Sequence, residues 1–212
     1  MKFSILSDKD FKRVPWKNGM GFTTELKVHH PLKNEGFAWR LSIAGIVKDG
    51  EFSDFSGYDR ILVMIDGNGV VLEHDNGKKD VLKKRFDSAY FSGNRKTFAK
   101  LIDGPVKDFN IIVKRDCCTS KVDITRDTKT HRFNLDTGHF LVYSADQNID
   151  ININNKNAIL LPANHLFHFD NGTGKFNNME ISLTGISAIY IQVAAKEYAF
   201  PPGSCKNRPI TN

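Results

Sequence analysis

Hydrophobic and polar residues alternate along much of this chain with the period of a β-strand, and no stretch of ten or more residues carries a convincing helical period. The strictest case is Ile149-Asp150-Ile151-Asn152-Ile153-Asn154, where every second side chain is apolar, as in a half-buried strand. Ile61-Leu62-Val63-Met64-Ile65 is apolar throughout and stops at Asp66-Gly67-Asn68-Gly69, a sequence suited to a hairpin turn. The chain resumes with Val70-Val71-Leu72 and turns again at Asp75-Asn76-Gly77. Further strands are predicted over residues 39–44, 109–114, 121–125, 139–144, 158–161, 179–183 and 188–193. Short strands at close, turn-marked spacing predict an all-β protein, a sandwich or a barrel.

The order of elements occurs twice. Residues 61–65, 70–73, 81–83 and 86–91 are followed, in the same order and at similar spacing, by residues 140–144, 149–153, 158–161 and 166–169. A length of 212 residues accommodates two compact barrels in tandem. The expected division is an N-terminal barrel over residues 1–116 and a C-terminal, structural barrel over residues 117–212. In the second barrel the strand at 149–154 reads as a solvated outer face, with no cation to hold an acid.

Composition narrows the class. Hydrophobic residues make up 40% and charged residues 25%, with 16 Phe and two Trp to fill a core. The longest apolar runs are too short to cross a bilayer, and the N-terminus turns charged at Asp8 before a signal peptide develops, so the cytoplasm is the expected compartment. Cys117, Cys118 and Cys205 are odd in number and lack C-x-x-C spacing, which fits neither a disulfide framework nor a zinc site. The net charge is +6, densest at Lys78-Lys79 and Lys83-Lys84-Arg85 beside the Asp75-Asn76-Gly77 turn. With 24 acids interleaved and no nucleic-acid-binding motif, this reads as a solvated basic face that attracts small anions, and no nucleic acid or membrane partner is expected. A homodimer through apolar edge strands stays open.

The segments that carry chemistry lie in the first half. In Pro15-Trp16-Lys17-Asn18-Gly19-Met20-Gly21-Phe22-Thr23-Thr24-Glu25, a strand resuming at Phe22 puts Thr23 and Glu25 on one face. In Trp39-Arg40-Leu41-Ser42-Ile43, Arg40 and Ser42 lie opposite Leu41 and Ile43. Phe52-Ser53-Asp54-Phe55-Ser56-Gly57-Tyr58-Asp59-Arg60 and Asp108-Phe109-Asn110 supply the rest. The candidate ligand-binding residues are Trp16, Asn18, Thr23, Glu25, Arg40, Ser42, Arg60, Asp108 and Asn110, with no catalytic residue assigned. Arg40 reads equally as a strand arginine paired with an acid or as an anchor that grips a carboxylate in bidentate fashion. Trp16 reads as core packing or as a pocket wall.

Those motifs, with Phe91-x-Gly93 and Gly104-Pro105-x-x-Asp108-Phe109-Asn110, resemble in type and order the motifs of the HutD/Ves family. The match covers roughly the first 115 residues well, and Met20 stands where the family often has another glycine. The resemblance implies a double-cupin fold. It also implies an accessory or regulatory role in histidine utilisation, with urocanate or formylated glutamate derivatives as natural ligands.

A metal-binding cupin needs converging imidazoles and a carboxylate. His29 and His30 are neighbours, and His165 and His168 are three apart, so on strands both pairs point to opposite faces. No metal or other cofactor is therefore expected. Glycine-rich phosphate loops and nucleophile elbows are also missing. Two readings follow: a metal-free binding protein for a small anionic metabolite, and a metal-independent isomerase or hydrolase using Glu25 or Asp108 as acid or base.

Overall fold

The computed structural model describes residues 3–16, 21–30, 36–135, 138–155, 157–171 and 179–196. None of these residues is helical, so among them no helix is long and apolar enough to cross a membrane. The chain divides into two compact units, Phe11–Cys117, and Met1–Asp10 together with Cys118–Asn212.

The opening strand, β1 (Phe3–Leu6), belongs to the second unit. The first unit holds β2 (Lys12–Pro15), β3 (Phe22–His29), β4 (Trp39–Ile46), β5 (Gly50–Glu51), β6 (Tyr58–Asp66), β7 (Val70–His74), β8 (Lys79–Leu82), β9 (Ser88–Ser92), β10 (Thr97–Leu101) and β11 (Val106–Lys114). They form a six-stranded sheet, β2-β3-β4-β11-β6-β9, and a four-stranded sheet, β5-β10-β7-β8. The second unit adds β12 (Cys118–Ile124), β13 (Thr130–Leu135), β14 (His139–Ser144), β15 (Ile149–Ile153), β16 (Asn157–Leu161), β17 (Leu166–Asp170), β18 (Met179–Thr184) and β19 (Ala188–Ala195). Its sheets are β1-β17-β14-β19-β12 and β13-β18-β15-β16. Two tandem antiparallel two-sheet units make the chain a double cupin.

The N-terminal boundary differs from the sequence expectation. Residues 1–10 go with the C-terminal unit, because β1 pairs with β17 from Phe3↔Phe169 to Leu6↔Leu166 and the Phe3 ring stacks on Phe167 at 5.6 Å. That partner is far away in the chain, so no local pattern announces it.

Burial explains the two kinds of apolar pattern. In β15, Ile149, Ile151 and Ile153 are fully buried in the second unit's core while Asp150 is exposed, hence the alternation. In β6 all of Ile61, Leu62, Val63, Met64 and Ile65 are buried, so both faces are covered and the run is continuous. The hairpin after β6 carries Gly67 at φ 101° and Gly69 at φ 128°, values that favour glycine.

Within the first unit, Leu62, Met64, Ala89 and Phe91 of the large sheet pack with Val70, Leu72, Leu82 and Ala99 of the small one. This fixes which face of the large sheet looks inward. Asn110 pairs with Leu62 and Asp108 with Met64, so both polar residues face the same interior.

Candidate functional site

Register carries that interior face across the sheet. Ser42 of β4 stands opposite Asn110 of β11, and Ala44 opposite Asp108. Glu25 of β3 stands opposite Ser42, and Thr23 opposite Ala44. Arg40 and Arg60 flank Ile112 from either side. Seven of the nine candidates, Thr23, Glu25, Arg40, Ser42, Arg60, Asp108 and Asn110, thus share one inward face. Trp16 joins them at the end of the β2–β3 hairpin, where its Nε1 donates to Thr23 Oγ1 at 2.9 Å. Asn18 lies outside the described residues.

The strand phase agrees with the sequence reading, which set Arg40 and Ser42 opposite the apolar side of their strand and Thr23 and Glu25 on one face. They point into the barrel, and the opposite face, with Leu41, Phe109 and Ile111, is fully buried too. A bulge between Glu25 and Lys27 shifts the β3 register, so Val28 rather than Lys27 comes to stand opposite Arg40.

The polar groups are linked in part. Arg40 Nη1 lies 3.6 Å from Glu25 Oε1, and each side chain is 19% exposed, so this end of the cluster meets solvent. Arg60, 7% exposed, donates from Nη2 to Asn110 Oδ1 at 3.2 Å and from Nη1 to the Ser53 carbonyl at 3.4 Å. Asn110 Nδ2 donates in turn to Asp108 Oδ2. Four buried polar atoms of this cluster have no hydrogen-bond partner among the described residues: Arg40 Nε, Ser42 Oγ, Arg60 Nε and Asp108 Oδ1. Leaving such groups unsatisfied costs about 1–3 kcal/mol each.

Burial governs the charges. It pushes the Asp108 carboxyl up to about 7, with the Asn110 hydrogen bond and the Arg60 charge opposing only in part. It also brings Arg60 down to about 10, against the attraction of Asp108 and assisted by the Arg40 charge. Arg40 is lowered by burial as well, with Glu25 and Tyr58 acting the other way.

Phenylalanine rings, absent from the candidate set, complete the surroundings. The Arg40 guanidinium lies 5.2 Å from the Phe37 ring and 5.0 Å from Phe55. Arg60 lies 4.9 Å from Phe52, 5.2 Å from Phe55 and 5.1 Å from Phe91. Phe55 therefore serves both arginines, within cation–π range. The available signal was the Phe52-Ser53-Asp54-Phe55 segment leading into Arg60.

Gly93 sets the position of Phe55. The Phe55 amide donates to the Gly93 carbonyl, the Gly93 amide donates to the Tyr58 carbonyl, and a Cβ at Gly93 would overlap the Phe55 carbonyl oxygen. Gly93→Ala is expected to cost about 2 kcal/mol, a fall of roughly 4–8 °C in Tm for a chain of this size. Thermal melting checks this, and an unchanged Tm contradicts the close approach.

A cleft of about 340 Å³ opens elsewhere in this unit, with Asp59, His74, Lys78, Tyr90, Arg95 and Arg115 in its wall and none of the nine candidates. Its cations already have acids: Arg115 with Asp59 at 2.9 Å, Lys78 with Asp80 at 3.0 Å and Arg95 with Asp75 at 3.5 Å. His74 is held between Thr97 and Asp80 at 2.9 and 3.0 Å. The cleft's cations are paired and the unsatisfied polar atoms belong to the arginine cluster, which makes the cluster the candidate site.

The second unit has an apolar interior of Phe140, Val142, Ile151, Phe167, Phe169 and their neighbours. His139 Nδ1 lies 3.2 Å from His168 Nε2, a pairing that spacing did not suggest, whereas His165 bonds the Ala163 carbonyl. Among the described residues no group of three or more His, Cys, Asp or Glu is arranged to hold a metal ion.

Comparison with known proteins gives a consistent result. A family model described as HutD matches residues 8–190. A Pseudomonas putida protein described as "Uncharacterized 21.2 kDa protein in hutC 3'region" is 41% identical over 111 residues, covering 52% of this chain and 58% of its own length. Protein Ves of Citrobacter koseri is 37% identical over 125 residues, covering 57% of this chain and 64% of its own. The chain thus spans about three-fifths of the length of these curated relatives. The structure of HutD from Pseudomonas fluorescens SBW25 superposes with a TM-score of 0.79 at 31% identity, covering 92% of this chain and all of that one.

Proposed function

Because this chain belongs to the HutD family, we propose that it binds a small carboxylate-bearing metabolite in its N-terminal barrel and serves histidine utilisation as an accessory or regulatory factor. The observation that carries this reading is the pair of arginines on one inward face, Arg60 buried and Arg40 partly so, each with a buried, unpartnered Nε. Guanidinium forks match carboxylates, and a low-dielectric setting strengthens the bond. Ser42 Oγ adds a further unpartnered hydroxyl. Phe55 and Phe37 supply apolar walls for the planar part of a ligand such as urocanate. The cytoplasm remains the compartment proposed.

The test is calorimetric titration of urocanate and N-formylglutamate into wild type, Arg40→Lys and Arg60→Lys, with melting curves as a folding control. Lysine keeps the charge but loses the fork, so Arg40→Lys is expected to weaken binding about tenfold while the fold survives. Unchanged affinity in both variants sinks the reading.

A second reading, a metal-independent isomerase or hydrolase, draws on Asp108 alone. A carboxyl near 7 is poised to give and take a proton at neutral pH. Turnover of either acid, abolished by Asp108→Asn, would favour it.

A further inference from the structure

Resting on the carboxylate-binding reading, we infer that the site takes up its acid together with one proton, which comes from solvent and is held on Asp108 Oδ1. The ligand enters as a carboxylate, and the buried group that meets it is the neutral acid form of Asp108.

The charge count on this face requires it. Glu25 comes from β3, Arg40 from β4, Arg60 and the Tyr58 phenol from β6, and Asp108 from β11. Lys12 of β2 stands opposite Glu25 at the exposed edge; the small sheet faces the interior with Val70, Leu72 and Ala99 and with buried His74, which Thr97 and Asp80 hold and whose ring packs on Phe91. Two guanidiniums are therefore matched by two carboxylates when Asp108 is ionised. A ligand carboxylate added to that set leaves a buried net negative charge, which a low-dielectric interior opposes strongly. With Asp108 protonated the cluster carries one positive charge, which a monocarboxylate cancels.

Hydrogen-bond polarity gives the same answer. The unpartnered Nε atoms of Arg40 and Arg60 are donors only, and Ser42 Oγ can donate. A carboxylate only accepts. Ionised, Asp108 Oδ1 would set another acceptor against the ligand's own; protonated, Oδ1 becomes another donor. Asn110 decides which oxygen carries the proton. Its Nδ2 donates to Oδ2 and its Oδ1 accepts from Arg60, so Oδ2 is already filled and Oδ1 is open. Burial holds Asp108 ready for this, at about 7 in the unliganded protein.

The experiment is calorimetry of the monocarboxylates urocanate and acetate between pH 6 and 9, in phosphate and in Tris, whose ionisation heats differ. Affinity should fall about tenfold per pH unit above neutrality, and proton uptake should approach one per ligand at the alkaline end. In Asp108→Asn both dependences should vanish. Carbon NMR of the Asp108 carboxyl in wild type should show the protonated form persisting with ligand at a pH where the free protein is ionised; this readout stands even if the variant fails to fold. Affinity independent of pH with no uptake, while Arg40→Lys still weakens binding, overturns the proton and leaves carboxylate binding intact. Uptake retained in Asp108→Asn places the proton elsewhere and also overturns it. Failure of every acid to bind overturns both readings.

Discussion

Arg60→Ala is expected to lower stability by about 3 kcal/mol. Arg60 is 7% exposed, lies near three phenylalanine rings and donates to Asn110 and to the Ser53 carbonyl. Alanine removes the charge, the donors and the packing together. Arg60→Met separates them, because methionine keeps most of the apolar bulk while Asn110 Oδ1 and the Ser53 carbonyl still lose their donor. Urea denaturation of both variants checks this. Loss of less than about 1 kcal/mol in Arg60→Ala would mean that the guanidinium is not an integral part of the interior.

Asp108→Asn is expected to stabilise the protein at alkaline pH and to do little in acid. Burial raises the Asp108 carboxyl to about 7, so the folded chain holds this proton more tightly than the unfolded chain. Its favourable contribution is complete below the ordinary carboxylate range. It is lost as pH rises through about 7, and ionised Asp108 burdens the fold above that. At about 1.4 kcal/mol per pH unit across this window the burden is on the order of 4 kcal/mol, reduced by whatever water reaches the group. Asparagine carries no such burden and still offers an oxygen to Asn110. Melting temperatures of wild type and variant should diverge from pH 5 to pH 8.5, the variant gaining several degrees. Parallel curves would mean that Asp108 ionises as an ordinary carboxyl.

The strand phases of β3 and β4 were legible because alternation is a local property. Thr23, Glu25, Arg40 and Ser42 followed from a period of two, and the structure puts them on one face. What covers each face was not legible. Leu41, Phe109 and Ile111 marked an apolar side, and nothing in the pattern says that the polar side is enclosed as well. Phe55 was missed as a neighbour of both arginines because its position depends on the absence of a Cβ at Gly93, a contact across 38 residues. The 340 Å³ cleft gathers residues from β6, β7, β9 and three connecting segments, none of which shares a motif with the others.

The pairing of β1 with β17 bears on how this chain is made and how it can be cut. Phe3 is synthesised before the first unit, yet its partner Phe169 follows the whole of it. The opening segment must wait unpaired through most of translation, and the second unit closes only when that segment returns. A fragment starting at residue 118 would present β17 with a bare backbone edge and an uncovered Phe167, an invitation to pair with another copy. Residues 11–117 can be expressed as one piece. The other unit calls for a chimera in which the first ten residues are carried on the C-terminal piece, or supplied as a separate peptide that restores the missing strand.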